Sequence, residues 1–109
     1  PASVDSIPTS LGQEDHVSMG SIGAVQLLDI LDNVERVLAI ELLTAAQALD
    51  YRLPLRPGRG VEIAHEQVRD TIPHRESDYL FEDDIDESLR FIRTRGLLDP
   101  VTAELSPLR

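Results

Sequence analysis

Asp15-His-Val-Ser-Met-Gly-Ser-Ile-Gly-Ala-Val-Gln-Leu-Leu-Asp-Ile-Leu-Asp-Asn-Val-Glu-Arg-Val-Leu-Ala-Ile-Glu-Leu-Leu-Thr-Ala-Ala-Gln-Ala-Leu-Asp50 decides the fold. It contains no proline, and apolar residues recur at Val17, Ile22, Val25, Leu28, Leu31, Val34, Leu38, Leu42, Ala45 and Leu49, in steps of mostly three or four. That spacing returns apolar side chains to one stripe of a helix and predicts a single long helix from about residue 15 to about residue 50. Its first half offers Asp29, Asp32, Asn33, Glu35 and Arg36 to water, whereas Val37 to Leu49 is apolar nearly all round and requires burial on every side. Such a helix is a rod of ~50 Å, while a globule of this length has a radius of gyration of only ~13 Å. The chain cannot cover its own helix, and the surplus apolar surface predicts other parts of a larger protein or neighbouring subunits in a helical bundle.

The remaining composition narrows the function. With 109 residues there is room for one small domain, and a 41% hydrophobic content with 4% aromatics and no Trp suits a helical core of Leu, Ile, Val and Ala. Twenty acidic against ten basic residues leave a net charge of -10, which repels nucleic-acid phosphates and anionic lipid. No cysteine is present, so disulfides, thiolate metal sites and cysteine nucleophiles are excluded. The longest apolar stretch, Val37 to Leu49, contains Glu41 and Gln47 and is far shorter than the ~20 residues that span a bilayer. No membrane and no secretory leader are expected, leaving a cytoplasmic location; the start at Pro1 without an initiator Met reads as a fragment or a processed product.

On either side of the long helix the chain is broken differently. Residues 1–12 carry Pro1, Pro8, Gly12 and several Ser and Thr, which predicts a loop. Leu53-Pro-Leu-Arg-Pro-Gly-Arg-Gly60 reads as a connector. A second helix is expected from Val61 to about Thr71 with Val61, Ala64, Val68 and Ile72 on its stripe, ended by Pro73. A third begins near Asp83 or Asp84, with Glu87 at capping-box spacing from Asp84, a stripe of Ile85, Leu89 and Ile92, and Gly96 as a left-handed stop. Beyond Pro100 nothing regular is predicted. The expectation is an all-α chain, one long helix followed by shorter helices.

Chemistry concentrates at residues 13–16, Gln-Glu-Asp-His, at the start of the long helix. Unpaired N–H groups and the positive end of the helix dipole favour anions there. From spacing alone Asp15 or Ser18 also serves as an ordinary helix cap, and both readings stay open.

Pro1-Ala-Ser-Val-Asp-Ser-Ile-Pro-Thr-Ser10 followed by Gln13-Glu-Asp-His-Val-Ser-Met19 closely resembles the corresponding segment of histidine ammonia-lyases, in the aromatic amino acid lyase and aminomutase family. The resemblance continues through Asn33-Val-Glu-Arg-Val-Leu-Ala-Ile-Glu41 and Ala45-Ala-Gln-Ala-Leu-Asp50, and more weakly through His65-Glu-Gln-Val-Arg69, Ile72-Pro73 and Asp84-Ile85. It implies one C-terminal segment of a larger helical-bundle homotetramer: residues 1–14 an active-site loop, about 15–50 a bundle helix, and 61–109 short helices and tail. It also implies ammonia elimination from L-histidine to give urocanate, in histidine catabolism. The electrophile is a methylidene-imidazolone (MIO) group made from an Ala-Ser-Gly tripeptide, which this chain lacks, so the chain alone is expected to be inactive.

By motif, Glu14 corresponds to the family's acidic substrate-site residue, which relatives acting on phenylalanine or tyrosine replace with glutamine. Glu14 is therefore the catalytic candidate, and Gln13 with Glu14 the substrate-binding pair. A carboxylate can accept a hydrogen bond from an imidazole N–H, support its cation, or act as a base. Asp15, His16 and Ser18 fall to helix-start support. One departure is Gly12, where the family commonly has Asn. The competing readings are a non-catalytic helical oligomerisation module derived from a lyase, and a lyase or aminomutase acting on another aromatic amino acid.

Other motifs carry less. His65-Glu66 lacks the second histidine of HExxH, and histidines at 16, 65 and 74 are too scattered for a metal site, so His65 reads as a surface residue. Glu82-Asp83-Asp84 with Asp86 and Glu87 reads as a solvated helix start, and Gly58-Arg59-Gly60 as a turn.

Overall fold

The computed structural model describes residues 10–13 and 19–105. All regular structure among them is helical: a short 3-10 turn at Ser10–Gly12, then α1 (Gly20–Asp50), α2 (Arg59–Thr71), α3 (Glu82–Thr94) and α4 (Leu98–Leu105). The chain forms two compact units, Pro1–Val34 and Glu35–Arg109.

In the first unit, α1 starts at Gly20, later than the expected Asp15. Met19 supplies the carbonyl that accepts the Gly23 N–H at 3.1 Å; Asp15 and Ser18, the cap candidates read from spacing, lie outside the described residues. Absence of proline permits a helix but does not force one, and Gly20-Ser21 are weak helix formers suited to a first turn. Ile22, Val25, Leu27, Leu28, Ile30, Leu31 and Val34 are all exposed.

The second unit holds the core. Ala46 of α1 packs with Val68, Ile72 and Phe91, and Leu42, Leu43 and Leu97 close around them. Alanine at 46 lets the neighbouring helices come close, and Ala39 and Ala46 are the buried residues of α1. Val37, Leu38 and Ile40 remain exposed, so the all-round burial expected of this stretch is not met among the described residues.

α2 begins two residues before the expected Val61. Gly58 caps it, its carbonyl accepting the Val61 and Glu62 N–H groups at 2.9 and 3.0 Å, so Arg59 and Gly60 are helical and not part of a turn. The buried stripe is Ile63, Val68 and Ile72, with Val61 exposed in place of the expected core role. Ile72 is extended (φ -109°, ψ 108°), as a residue preceding proline should be.

The unexpected element is α4. Pro100 stands in its first turn, where no N–H is needed and proline is tolerated. The helix packs on α2, and a Cβ added at Gly60 would lie 2.9 Å from Leu105 Cδ1, so the absence of a side chain at 60 permits the approach. Arg59 and Glu104 pair across the same contact at 3.4 Å.

α3 starts at Glu82 with Phe81 as N-cap, and the Asp84–Glu87 capping box does not form, since Glu87 pairs with Arg90 and Asp84 turns inward. At its other end Arg95, not Gly96, takes the left-handed position (φ 58°). Gly96 N–H then reaches the Phe91 carbonyl at 2.9 Å and Arg95 N–H the Ile92 carbonyl at 3.4 Å, the paired bonds of a Schellman stop. A side chain in that region costs ~1–2 kcal/mol, and the Arg95–Asp99 pair lost with it is exposed and contributes little. Arg95→Gly should therefore raise the urea midpoint, by the equivalent of about 1 kcal/mol.

Candidate functional site

Of the two residues carrying the sequence-based site, Gln13 is described and Glu14 lies outside the described residues, as do Asp15, His16 and Ser18. Gln13 is exposed, and its N–H donates to the Ser10 carbonyl at 3.1 Å, closing the turn that precedes it. Gly12, within that turn, sits at φ +82°. Glycine and asparagine are the residues that tolerate positive φ best, which gives the Gly12-for-Asn departure a backbone reason: either residue suits such a turn.

The densest polar constellation lies elsewhere, at the C-terminal end of α1. Asp50 Oδ1 is 2.8 Å from His65 Nε2. Asp50 Oδ2 is 2.7 Å from His74 Nδ1 and accepts from Arg69 at 2.8 Å. Arg69 also bonds Asp50 Oδ2 through Nε at 3.0 Å and donates to the Ile72 carbonyl (2.9 Å) and Gln47 Oε1 (3.3 Å). Gln47 Nε2 donates to the Arg75 carbonyl at 2.6 Å. Tyr51 sets its ring edge-to-face against His74, with centroids 5.5 Å apart.

His65 is thus a half-buried partner of Asp50, not a surface residue. Burial pushes the Asp50 carboxyl up, but hydrogen bonds from His74, Arg69 and His65 and the Arg69 charge outweigh it and hold the group below the ordinary carboxylate value. Among the described residues both histidines bond to Asp50, and His74 also lies 3.5 Å from Gln47 Nε2; neither bonds a hydroxyl there. No group of three His, Asp or Glu suited to a metal occurs among the described residues. The arrangement is a polar staple fixing α2 and residues 72–75 to the end of α1.

A second clasp joins Arg75 to α3. Its guanidinium makes two bonds to Asp84, 3.0 Å to Oδ2 and 2.9 Å to Oδ1, and lies 4.0 Å above the Tyr79 ring. The Asp84 hydrogen bonds, foremost, raise the Arg75 pKa against the opposing effect of burial, with the Asp84 charge adding to the rise. Asp84 is only 6% exposed, so the acidic run is not uniformly solvated: Glu82, Asp83 and Asp86 face water while Asp84 is drawn inside by its partner. Spacing could not find these pairs, because each joins residues of different elements. The signal available was the Ala45–Asp50 run, whose one acid closes a mostly apolar last turn and a half of α1.

Comparison with known proteins decides the family. The family model "Aromatic amino acid lyase" matches residues 1–70. The chain belongs to the aromatic amino acid lyase family. It is 59% identical over 109 residues to a histidine ammonia-lyase of Natranaerobius thermophilus, covering 100% of this chain and 22% of that protein. With a histidine ammonia-lyase of Gloeobacter violaceus it shares 52% identity over 103 residues, 94% of this chain and 20% of the relative. A crystal structure of histidine ammonia-lyase from Trypanosoma cruzi matches with a TM-score of 0.82 at 40% identity, covering 98% of this chain and 21% of that one. The chain spans about a fifth of the length of the curated relatives it matches, consistent with a C-terminal portion of such a lyase and with an all-α fragment of a larger protein. Among the described residues no helix is long and apolar enough to cross a membrane.

Proposed function

We propose that these residues are part of a histidine ammonia-lyase that converts L-histidine to urocanate and ammonia in histidine catabolism in the cytoplasm. The observation that carries the reading is identity of about half over nearly the whole chain with proteins that bear that name. In the reaction the Cα–N bond breaks, a proton leaves Cβ, and the new double bond conjugates with the imidazole ring.

Within that reading Gln13 and Glu14 form one wall of the substrate site. Glu14 is the substrate-contacting residue, its carboxylate accepting the imidazole N–H or taking the departing proton. An MIO group elsewhere in the protein supplies the electrophile when formed; this chain has no Ala-Ser-Gly, and none of its residues is assigned to hold the group. Other parts of the lyase and neighbouring subunits of a homotetramer cover the exposed apolar residues of α1, which a soluble protein does not leave bare over such an area.

The test is a substrate panel. The full-length protein given L-histidine should produce the ultraviolet absorbance of urocanate, with L-phenylalanine and L-tyrosine giving little. Equal or greater turnover of either aromatic competitor would replace histidine as the substrate.

A further inference from the structure

Beside the Arg75–Asp84 clasp, within the Glu35–Arg109 unit, an open groove of about 680 Å³ runs between α1 and the segment leading into α3. Ile40, Leu43 and Ala48 form its floor on one side, and Phe81 and Ile85 its wall on the other. We infer that this groove seats a helix from the part of the lyase outside these 109 residues, one presenting an apolar ridge flanked by a lysine or arginine. This rests on the reading of the chain as part of a longer lyase.

Three observations choose that occupant. The floor is built from two adjacent rows of α1 at four-residue spacing, Ile40-Thr44-Ala48 and Leu43-Gln47, the second continued by Tyr51 just past the helix end. Rows at that spacing are the ridges into which another helix interdigitates, whereas an extended strand would meet no free sheet edge here. The rim is acidic: Glu76 and Asp78 line the groove, are exposed, and make no ion pair among the described residues. The neighbouring cation, Arg75, is already neutralised by Asp84, so the rim attracts an incoming positive charge. Finally, the matched relatives are about five times longer than this chain, so chain outside it is available to supply such a helix.

The experiment uses the full-length protein with p-benzoylphenylalanine in place of Ser77, an exposed groove residue without charge. Irradiation should join position 77 to a peptide outside residues 1–109. The double variant Glu76→Lys/Asp78→Lys should lower the yield about tenfold, and the control Glu66→Lys/Asp70→Lys, two exposed acids on α2, should leave it unchanged. Attachment to residues 1–109 of a second subunit, or to no peptide, overturns the proposal. So does a yield that ignores charge reversal at 76 and 78. Urocanate formation by the unmodified protein, measured alongside, separates failure of the groove proposal from failure of the lyase reading.

Discussion

Glu14→Gln in the full-length protein should lower kcat/KM for L-histidine by about 100-fold or more, the scale at which a positioned acid–base group contributes. That corresponds to roughly 2.7 kcal/mol of transition-state stabilisation. Glutamine is nearly isosteric and keeps hydrogen-bonding capacity, so the loss isolates the carboxylate's charge and basicity. The kinetic split assigns the role. If Glu14 only holds the imidazole in ground and transition states alike, KM rises with kcat unchanged; if it takes the Cβ proton, kcat falls. Unchanged kinetics on histidine would remove Glu14 from the site.

Asp50→Ala should destabilise the Glu35–Arg109 unit by about 3 kcal/mol, the cost of removing one member of a largely buried ionic group and leaving its partners unpaired. The Asp50 side chain is 15% exposed and is the common acceptor for His65, Arg69 and His74. Without it Arg69 keeps the Ile72 carbonyl and Gln47, but α2 and residues 72–75 lose their joint tie to α1. The effect has a defined pH dependence. The folded-state pKa of Asp50 is lowered, so its contribution is complete above the ordinary value of 3.8 and is lost as pH falls through the folded value. Urea midpoints of wild type and variant should therefore differ most near neutrality and converge as the pH drops below about 4. A gap that stayed constant into acid would mean that Asp50 acts through packing and not through charge.

What the sequence made legible was governed by local physics. The three- and four-residue apolar spacing from Ile22 to Leu49 is a property of one helix, and α1 follows from it. α2 and α3 were visible for the same reason, with Pro73 and the Gly96 region marking their ends. Burial was less legible, because which stripe faces inward depends on partners distant in the chain: Ile63 displaces Val61, and Phe91 and Ser88 share the interior with Leu89. Asp84 carried every local sign of a solvated helix start, yet Arg75 lies nine residues upstream in a loop whose path no periodicity predicts. α4 was hidden by Pro100, a helix breaker everywhere except the first turn it occupies.

The candidate site divides in the same way. Spacing left Gln13 to Met19 open between cap and chemistry, and only the family resemblance gave Glu14 a role. The Asp50 cluster had the opposite history: chemically suggestive residues, assembled only by the fold, that tie helices together.

The most direct test of Glu14 as a wall of the histidine site is a crystal structure of the full-length protein with L-histidine or urocanate bound. A Glu14 carboxylate oxygen is expected within about 2.6–3.2 Å of an imidazole nitrogen, or within about 3.3–3.6 Å of the histidine Cβ whose proton departs. A ligand bound with Glu14 turned away and other residues holding the imidazole would contradict it.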